Sequence, residues 1–273
     1  MQGTITIKEA LAIATKSAPH HEAKLILAHY TGLTATELIL KNHQPLDETA
    51  KGAFFAAIER RVANEPLQYI LGDWEFMGLK IKTDSRALIP RPETELLVEE
   101  ALKHITTTHT RILDICTGSG CIAIAIAKLS GTSVTATDIS QKALSLAKEN
   151  AELHGLTNKI HFIQSDLLND LNSQHFDIII SNPPYIPTAE LSTLQPELTH
   201  EPTLALDGGP DGLAPYRKLI PQARDFLPPG GNLLLEIGPP TVEAIMKAAG
   251  YGMIRTINDY AGLPRIITGT INK

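Results

Sequence analysis

Little in this sequence points to nucleic acid, metal or membrane. The chain of 273 residues sets 24 Lys and Arg against 30 Asp and Glu, a formal net charge of -6. A surface that grips a phosphate backbone needs clustered basic side chains, and no cluster interrupts the acidic balance. There are only two cysteines, Cys116 and Cys121, both in one apolar stretch. They are close enough in sequence to pair, but a reduced cytosolic state is the better reading. Their spacing fits no common zinc motif, and no second Cys/His pair follows. His20 and His21 fall at a helix start and read as solvent-facing, while His154, His161 and His175 lack ligand spacing. No basic segment leads into an apolar run near residue 1, and no stretch reaches the roughly 18 apolar residues of a membrane helix. The expectation is a soluble, cytoplasmic protein. Repeats and low-complexity tracts are absent too. The length suits one large domain or two modest ones, and the 43% hydrophobic content is ordinary for a globular chain.

The patterning changes character along the chain. Up to about residue 75, apolar residues recur every three or four positions over Ile7–Ala18, His21–Tyr30, Thr34–Leu40 and Asp47–Ala63. Thr34 with Glu37 forms a candidate capping box, and Asp47 suits the N-cap of the longest helix. Helices this short must pack on one another, so a small bundle is expected over 1–75. Residues 76–90 read as a connector containing a short hairpin around Gly78. Ile89-Pro90-Arg91-Pro92 then leads into a helix from Glu93 to Ile105, with Pro92 suited to its first turn and Glu93 and Glu95 to the positive end of its dipole. Over 91–273, short apolar strands alternate with helices, which predicts an α/β domain with a parallel sheet covered on both faces. The last two strands, Met253–Ile257 and Arg265–Thr270, read as a terminal antiparallel hairpin.

Two stretches carry chemistry. Asp114-Ile115-Cys116-Thr117-Gly118-Ser119-Gly120 lies between a strand and a helix, where glycines let backbone approach a ligand at the sheet's C-terminal edge. Asp138 ends the next strand, and a carboxylate there can accept both hydroxyl protons of a ribose. Together they indicate a nucleoside cofactor. The same residues also fit a dinucleotide fingerprint, so on this motif alone NAD and S-adenosylmethionine stand level. The second stretch, Asn182-Pro183-Pro184-Tyr185, directly follows the most apolar strand. As a bare turn it would need only a proline or two. As a site it has a purpose. An amide or exocyclic amino nitrogen is a poor nucleophile because its lone pair is delocalised, and methyl transfer needs that lone pair aimed in line with the leaving group. The Asn182 side-chain oxygen and the Pro183 carbonyl can accept the two N–H hydrogens and fix the nitrogen. The prolines stiffen the loop, and Tyr185 offers a flat face to a planar group. A sulfonium donor is already activated, so neither metal nor strong base is required. This favours S-adenosylmethionine.

Over nearly its whole length the chain resembles the HemK/PrmC family, the glutamine methyltransferases of class I peptide chain release factors. The likeness runs through Pro66-Leu67-Gln68-Tyr69-Ile70 with Gly72, Leu88-Ile89-Pro90-Arg91-Pro92-Glu93-Thr94-Glu95, the glycine turn, Asn182 to Tyr185, and Glu201-Pro202 with Ala205-Leu206 and Gly208-Gly209. The Pro-Arg-Pro-Glu-Thr-Glu stretch is the family-specific part, whereas adenine and guanine methyltransferases share the Asn-Pro-Pro-Tyr tetrad. The resemblance implies a helical N-terminal domain that engages the release factor, and a seven-stranded Rossmann-like class I methyltransferase domain. It implies cofactor contacts at Cys116, Thr117, Gly118, Ser119, Gly120 and Asp138, near Asp166 and Leu167, and at Asn182. It implies target contacts at Asn182, Pro183, Pro184 and Tyr185. Arg91 and Glu93 read either as helix-end charges or as residues near the site. Cys116 departs from the family, which often has glycine there, so a slightly altered turn is expected. Asp207-Gly208-Gly209-Pro210-Asp211-Gly212 has the composition of a calcium loop without its closing Glu and reads as a turn before a helix. The alternative activity is adenine-N6 methylation of nucleic acid, which the tetrad would serve equally. Against it stand the missing basic stripe and the lack of a target-recognition insert. A non-catalytic nucleotide-binding module is the remaining rival, and the intact tetrad argues against it.

Overall fold

A computed structural model describes residues 5–172, 175–238 and 241–272. The chain divides into two compact units, Met1–Asp73 with Gln195–His200, and Trp74–Leu194 with Glu201–Lys273.

Among the described residues the first unit holds five α-helices, α1 (Ile7–Ala14), α2 (His20–Thr31), α3 (Ala35–Leu40), α4 (Glu48–Val62) and α5 (Leu67–Leu71), and a 3-10 turn over Pro196–His200. Thr34 and Glu37 form the expected capping box, with backbone N–H to side-chain oxygen distances of 3.2 and 2.9 Å. Thr6 and Glu9 form a second one on α1. Asp47 caps α4 through the amides of Thr49 and Ala50. Each cap is worth about 1 kcal/mol. α1 stops at Ala14, short of the expected Ala18. The Thr15 and Ser17 hydroxyls turn back onto the carbonyls of Ala12 and Ala14, and Pro19 cannot continue a helix. Ala10, Ala23, Ile26, Leu27 and Phe54 are fully buried and form the centre of this unit. Arg61 bridges Glu22 at 2.6 Å and Glu197 at 3.0 Å, which seats Gln195–His200 here.

The second unit opens with the hairpin of β1 (Asp73–Phe76) and β2 (Leu79–Lys82). Met77 and Gly78 both have positive φ, as a tight two-residue hairpin turn requires. Then follow α6 (Pro92–His104), β3 (Ile112–Ile115), α7 (Cys121–Ser130), β4 (Val134–Asp138), α8 (Gln141–Leu153), β5 (Ile160–Gln164), β6 (Ile178–Ser181), α9 (Ala214–Asp225), β7 (Asn232–Glu236), α10 (Val242–Ala248), β8 (Tyr251–Asn258) and β9 (Pro264–Ile271). Seven strands form one sheet in the order β5-β4-β3-β6-β7-β9-β8. The first five are parallel, and β9 runs antiparallel to both β7 and β8. This is the α/β sheet with a terminal antiparallel hairpin that the sequence predicts.

The side chains of the central strands alternate between two apolar layers. Ile112, Ile178, Ile180 and Leu234 enter one, while Leu113, Ile115, Ile179, Leu233 and Leu235 enter the other. Both faces are dry, which is why these strands read as continuous apolar runs. The chain builds outward from β3 in one direction through β4 and β5, then returns to its other side with β6. That reversal opens a crevice at the C-terminal ends of β3 and β6, the place where sheets of this kind take ligands.

Candidate active site

The turn after β3 is pinned to the end of β4. The Thr117 amide donates to the Thr137 carbonyl at 2.9 Å, and the Gly118 amide to Asp138 Oδ2 at 2.9 Å. Asp138 Oδ1 accepts from the Ser140 amide at 2.8 Å. Each carboxylate oxygen keeps a further lone pair. Burial pushes the Asp138 carboxyl above its ordinary range, against the pull of the Ser140 and Gly118 amides. Cys116 has φ of 59°, in the left-handed region, which costs an L-residue about 1–2 kcal/mol. That is the physical reason a glycine would sit more easily here. Burial also pushes the Cys116 thiol well up, so it stays protonated and inert. Both cysteines are unpaired.

A cavity of about 370 Å³ opens in the crevice. Of the residues predicted from sequence, Cys116, Thr117, Gly118, Ser119, Asp138, Asp166, Leu167, Asn182, Pro184 and Arg91 line it, while Gly120, Pro183, Tyr185 and Glu93 do not. Gly120 does a different job: a Cβ on it would lie 3.0 Å from the Ala147 Cβ, so its small size lets α7 pack against α8. Ile139, next to Asp138, lines the cavity and is 47% exposed. A carboxylate with an uncovered apolar side chain beside it fits a ribose with its purine. Arg91 is already engaged. Its guanidinium pairs with Glu201, whose side chain is 2% exposed and also accepts the Ile89 amide at 3.0 Å. This clasp fixes the Ile89–Arg91 wall.

Asn182 stands at the end of β6, where Ser181 Oγ also donates to the Ile115 carbonyl at 2.7 Å. The Asn182 Nδ2 donates to Thr94 Oγ1 at 3.2 Å, which turns the side-chain oxygen the other way. Thr94 lies in the first turn of α6 and donates in turn to Glu236 Oε2 at 2.6 Å. The Tyr185 ring covers Gly238, where a Cβ would come within 2.5 Å of the ring. Its phenol reaches Glu236 Oε1 at 3.3 Å. Burial, with the Glu236 charge, pushes that phenol up to about 12, so Tyr185 is neutral near pH 7 and no base.

Comparison with known proteins shows the family. Residues 92–206 match the methyltransferase small domain family, and residues 6–72 match the PrmC N-terminal domain family. The chain is 42% identical over 259 residues to a release factor glutamine methyltransferase of Deinococcus radiodurans, covering 92% of each chain. It is 41% identical to one of Moorella thermoacetica, covering 96% of this chain and 97% of that one. The chain belongs to the release factor glutamine methyltransferase family. A methyltransferase from Pyrococcus furiosus shares the fold, with a TM-score of 0.55, 20% identity, and coverage of 80% of this chain and 98% of that one.

For this member of the release factor glutamine methyltransferase family, Asp114 is the costly residue of the glycine turn. It is fully buried, with Thr117 Oγ1 donating to its Oδ2 at 2.6 Å. Burial pushes its carboxyl up to about 7, with Thr117 pulling the other way. An unfolded aspartate titrates near about pH 4. Between about pH 4 and about pH 7 the folded chain therefore holds a proton that the unfolded chain has released, so this group lowers stability as pH rises through that window. Asp114→Asn removes the cost. Calorimetric scans should show a higher Tm than the parent above pH 7 and a flatter decline from pH 4 to 7. Superimposable profiles would refute the account. Four groups of this site have no role assigned from sequence: Ile139 and Glu236, and Thr94 and Glu201, which enter only as part of the family resemblance. For Ile139 a signal existed in its place, directly after Asp138 and before Ser140, the N-cap of α8.

Proposed function

We propose that this chain methylates the side-chain amide nitrogen of the glutamine in the Gly-Gly-Gln tripeptide of class I peptide chain release factors. It is an S-adenosylmethionine-dependent enzyme, and the cofactor supplies a methyl group made electrophilic by its sulfonium. The observation that carries the reading is the Asn182 amide at the switch point, with its nitrogen tied to Thr94 and its oxygen left free to accept. Asn182 Oδ1 and the Pro183 carbonyl accept the two hydrogens of the target amide and aim its lone pair. Forming the N–CH₃ bond breaks the S–CH₃ bond, leaves the donor as a neutral thioether, and releases one of those two protons to water. Pro184 and the Tyr185 ring complete the rigid side of the site. Cys116, Thr117, Gly118, Ser119 and Gly120 form the turn under the cofactor. Asp138 takes the ribose, Ile139 faces the purine, and Asp166 and Leu167 close the far wall. Arg91, with Glu93 beside it, shapes the entrance rather than the chemistry, because its guanidinium is spent on Glu201.

We assign residues 1–75 to release-factor recognition, 76–90 to the connector and 91–273 to catalysis. Among its described residues the first stretch is mainly helical and carries no candidate reacting group. No described helix is long and apolar enough to cross a membrane. Release factors act on cytoplasmic ribosomes, so we place the enzyme there and expect no direct contact with nucleic acid.

The test is incubation with methyl-labelled cofactor and either release factor or DNA, followed by mass spectrometry. The expected product carries one methyl on the tripeptide glutamine, and label on DNA adenine alone would overturn the reading. Asp138→Ala should weaken S-adenosylmethionine binding by about 1–3 kcal/mol, since it removes the ribose acceptor and frees the Gly118 amide. Calorimetry with unchanged affinity, or with tight binding of NAD, would count against the ribose assignment.

A further inference from the structure

Glu236 is the least expected residue in the second unit. It ends β7, is 1% exposed, and sits at the centre of the polar groups behind the tetrad. A carboxylate is expensive to bury unless donors surround it. Here the donors are two hydroxyls, Thr94 Oγ1 at 2.6 Å and the Tyr185 phenol at 3.3 Å. Burial pushes the carboxyl above its ordinary range, while Thr94, Arg265 and Tyr185 pull it back by favouring the charged form.

The direction of these hydrogen bonds has a chemical consequence. The Thr94 hydroxyl has one proton, and at 2.6 Å it is donated to Glu236 Oε2. Thr94 Oγ1 then has only lone pairs left to offer Asn182. The Asn182 amide has two ends, and only its NH₂ can meet a lone pair. The side chain is thereby held with Nδ2 on Thr94 and Oδ1 turned away. Reversed, it would present two N–H groups to a target that is itself an NH₂, and donor would face donor.

We propose that Glu236 is a positioning residue for methyl transfer: through Thr94 it fixes which end of the Asn182 amide meets the target nitrogen, and through the Tyr185 phenol it anchors the other end of the tetrad. This rests on the reading of Asn182 as the acceptor for that nitrogen. Glu236→Gln tests it with almost no change in shape. A glutamine amide can donate to Thr94, which frees the Thr94 proton to point at Asn182 and lets the Asn182 amide turn over. Thr94→Val removes the middle of the relay, and Thr94→Ser restores it.

The experiment measures kcat and KM on release factor, S-adenosylmethionine affinity by calorimetry, and Tm, all on the full chain. Glu236→Gln and Thr94→Val should each lower kcat by about tenfold or more, with KM and cofactor affinity within about threefold of the parent. Thr94→Ser should recover most of what valine loses. Because Glu236 reaches Asn182 through the Thr94 hydroxyl, the double variant should be no worse than the poorer single one. The proposal is overturned by parental kcat in Glu236→Gln while Asn182→Ala is inactive, or by losses that multiply in the double variant. A fall in Tm and cofactor affinity without a kcat effect would make Glu236 merely structural and overturn it too. If Glu236→Gln fails to fold, the valine and serine pair at Thr94 decides between these outcomes. Full activity in Asn182→Ala would sink the tetrad reading itself, and this proposal with it.

Discussion

Asn182→Ala should lower kcat about a hundredfold or more while S-adenosylmethionine affinity falls less than about tenfold. The asymmetry follows from what the side chain does. It is one of many residues lining the cofactor cavity, whereas in the proposed reaction it is the side-chain acceptor for the nitrogen that must attack. A factor of a hundred corresponds to about 2.7 kcal/mol of transition-state stabilisation, within reach of a single well-placed acceptor together with the alignment it enforces. Asn182→Asp should fall between alanine and the parent. It keeps an acceptor for the target amide, but it loses the NH₂ that holds Thr94 and brings a second carboxylate towards Glu236. Single-turnover kinetics on release factor, with calorimetry on the cofactor, would check both. Loss of cofactor affinity in step with kcat would mean that Asn182 serves binding and not alignment.

What is legible in the sequence is local. The glycine turn, Asp138 and the tetrad each sit at the end of a strand whose apolar run is itself legible, so the fold places them without further information. The capping box at Thr34 and the N-cap at Asp47 are signals spanning three residues, and both are present. The contact of Glu236 with Thr94 is illegible because they are 142 residues apart and meet only where α6 packs against β7. In sequence Glu236 is just a polar residue at the end of Leu-Leu-Leu. Glu201 escapes for the same reason, meeting the Ile89 amide across 112 residues. Tyr185 reads in sequence as a face offered to the target, and the structure adds that its ring covers Gly238 and its hydroxyl meets Glu236. No pattern within four residues could disclose either contact. The glycines of Asp207–Gly212 are legible as a turn, but their purpose is not, because it depends on where another loop passes.

That purpose supplies the second large effect. The backbone of Tyr185 runs between Gly208 and Gly212, where an added Cβ would lie 2.7 Å from the Tyr185 Cα and 2.4 Å from the Tyr185 carbonyl oxygen respectively. These neighbours are backbone atoms and cannot swing aside, so the tetrad itself must move. Gly212 also has φ of 73°, whereas Gly230 has φ of 85° with nothing within 4 Å of its missing Cβ. The three positions separate two costs. Gly230→Ala bears the left-handed strain alone, about 1–2 kcal/mol, and should leave methylation intact. Gly208→Ala bears the close contact alone, about 1–3 kcal/mol, yet should lower kcat sharply because the contact displaces Tyr185. Gly212→Ala bears both, so Tm should fall by about 5–10 °C and kcat by at least as much as in Gly208→Ala. Even a displacement of about 1 Å at the tetrad is enough for a hundredfold loss. Thermal scans and kcat on release factor for the three variants would decide the matter. The expected result is that activity follows contact with Tyr185 and not the sign of φ. Equal kcat in Gly208→Ala and Gly230→Ala would show that the loop does not seat the tetrad.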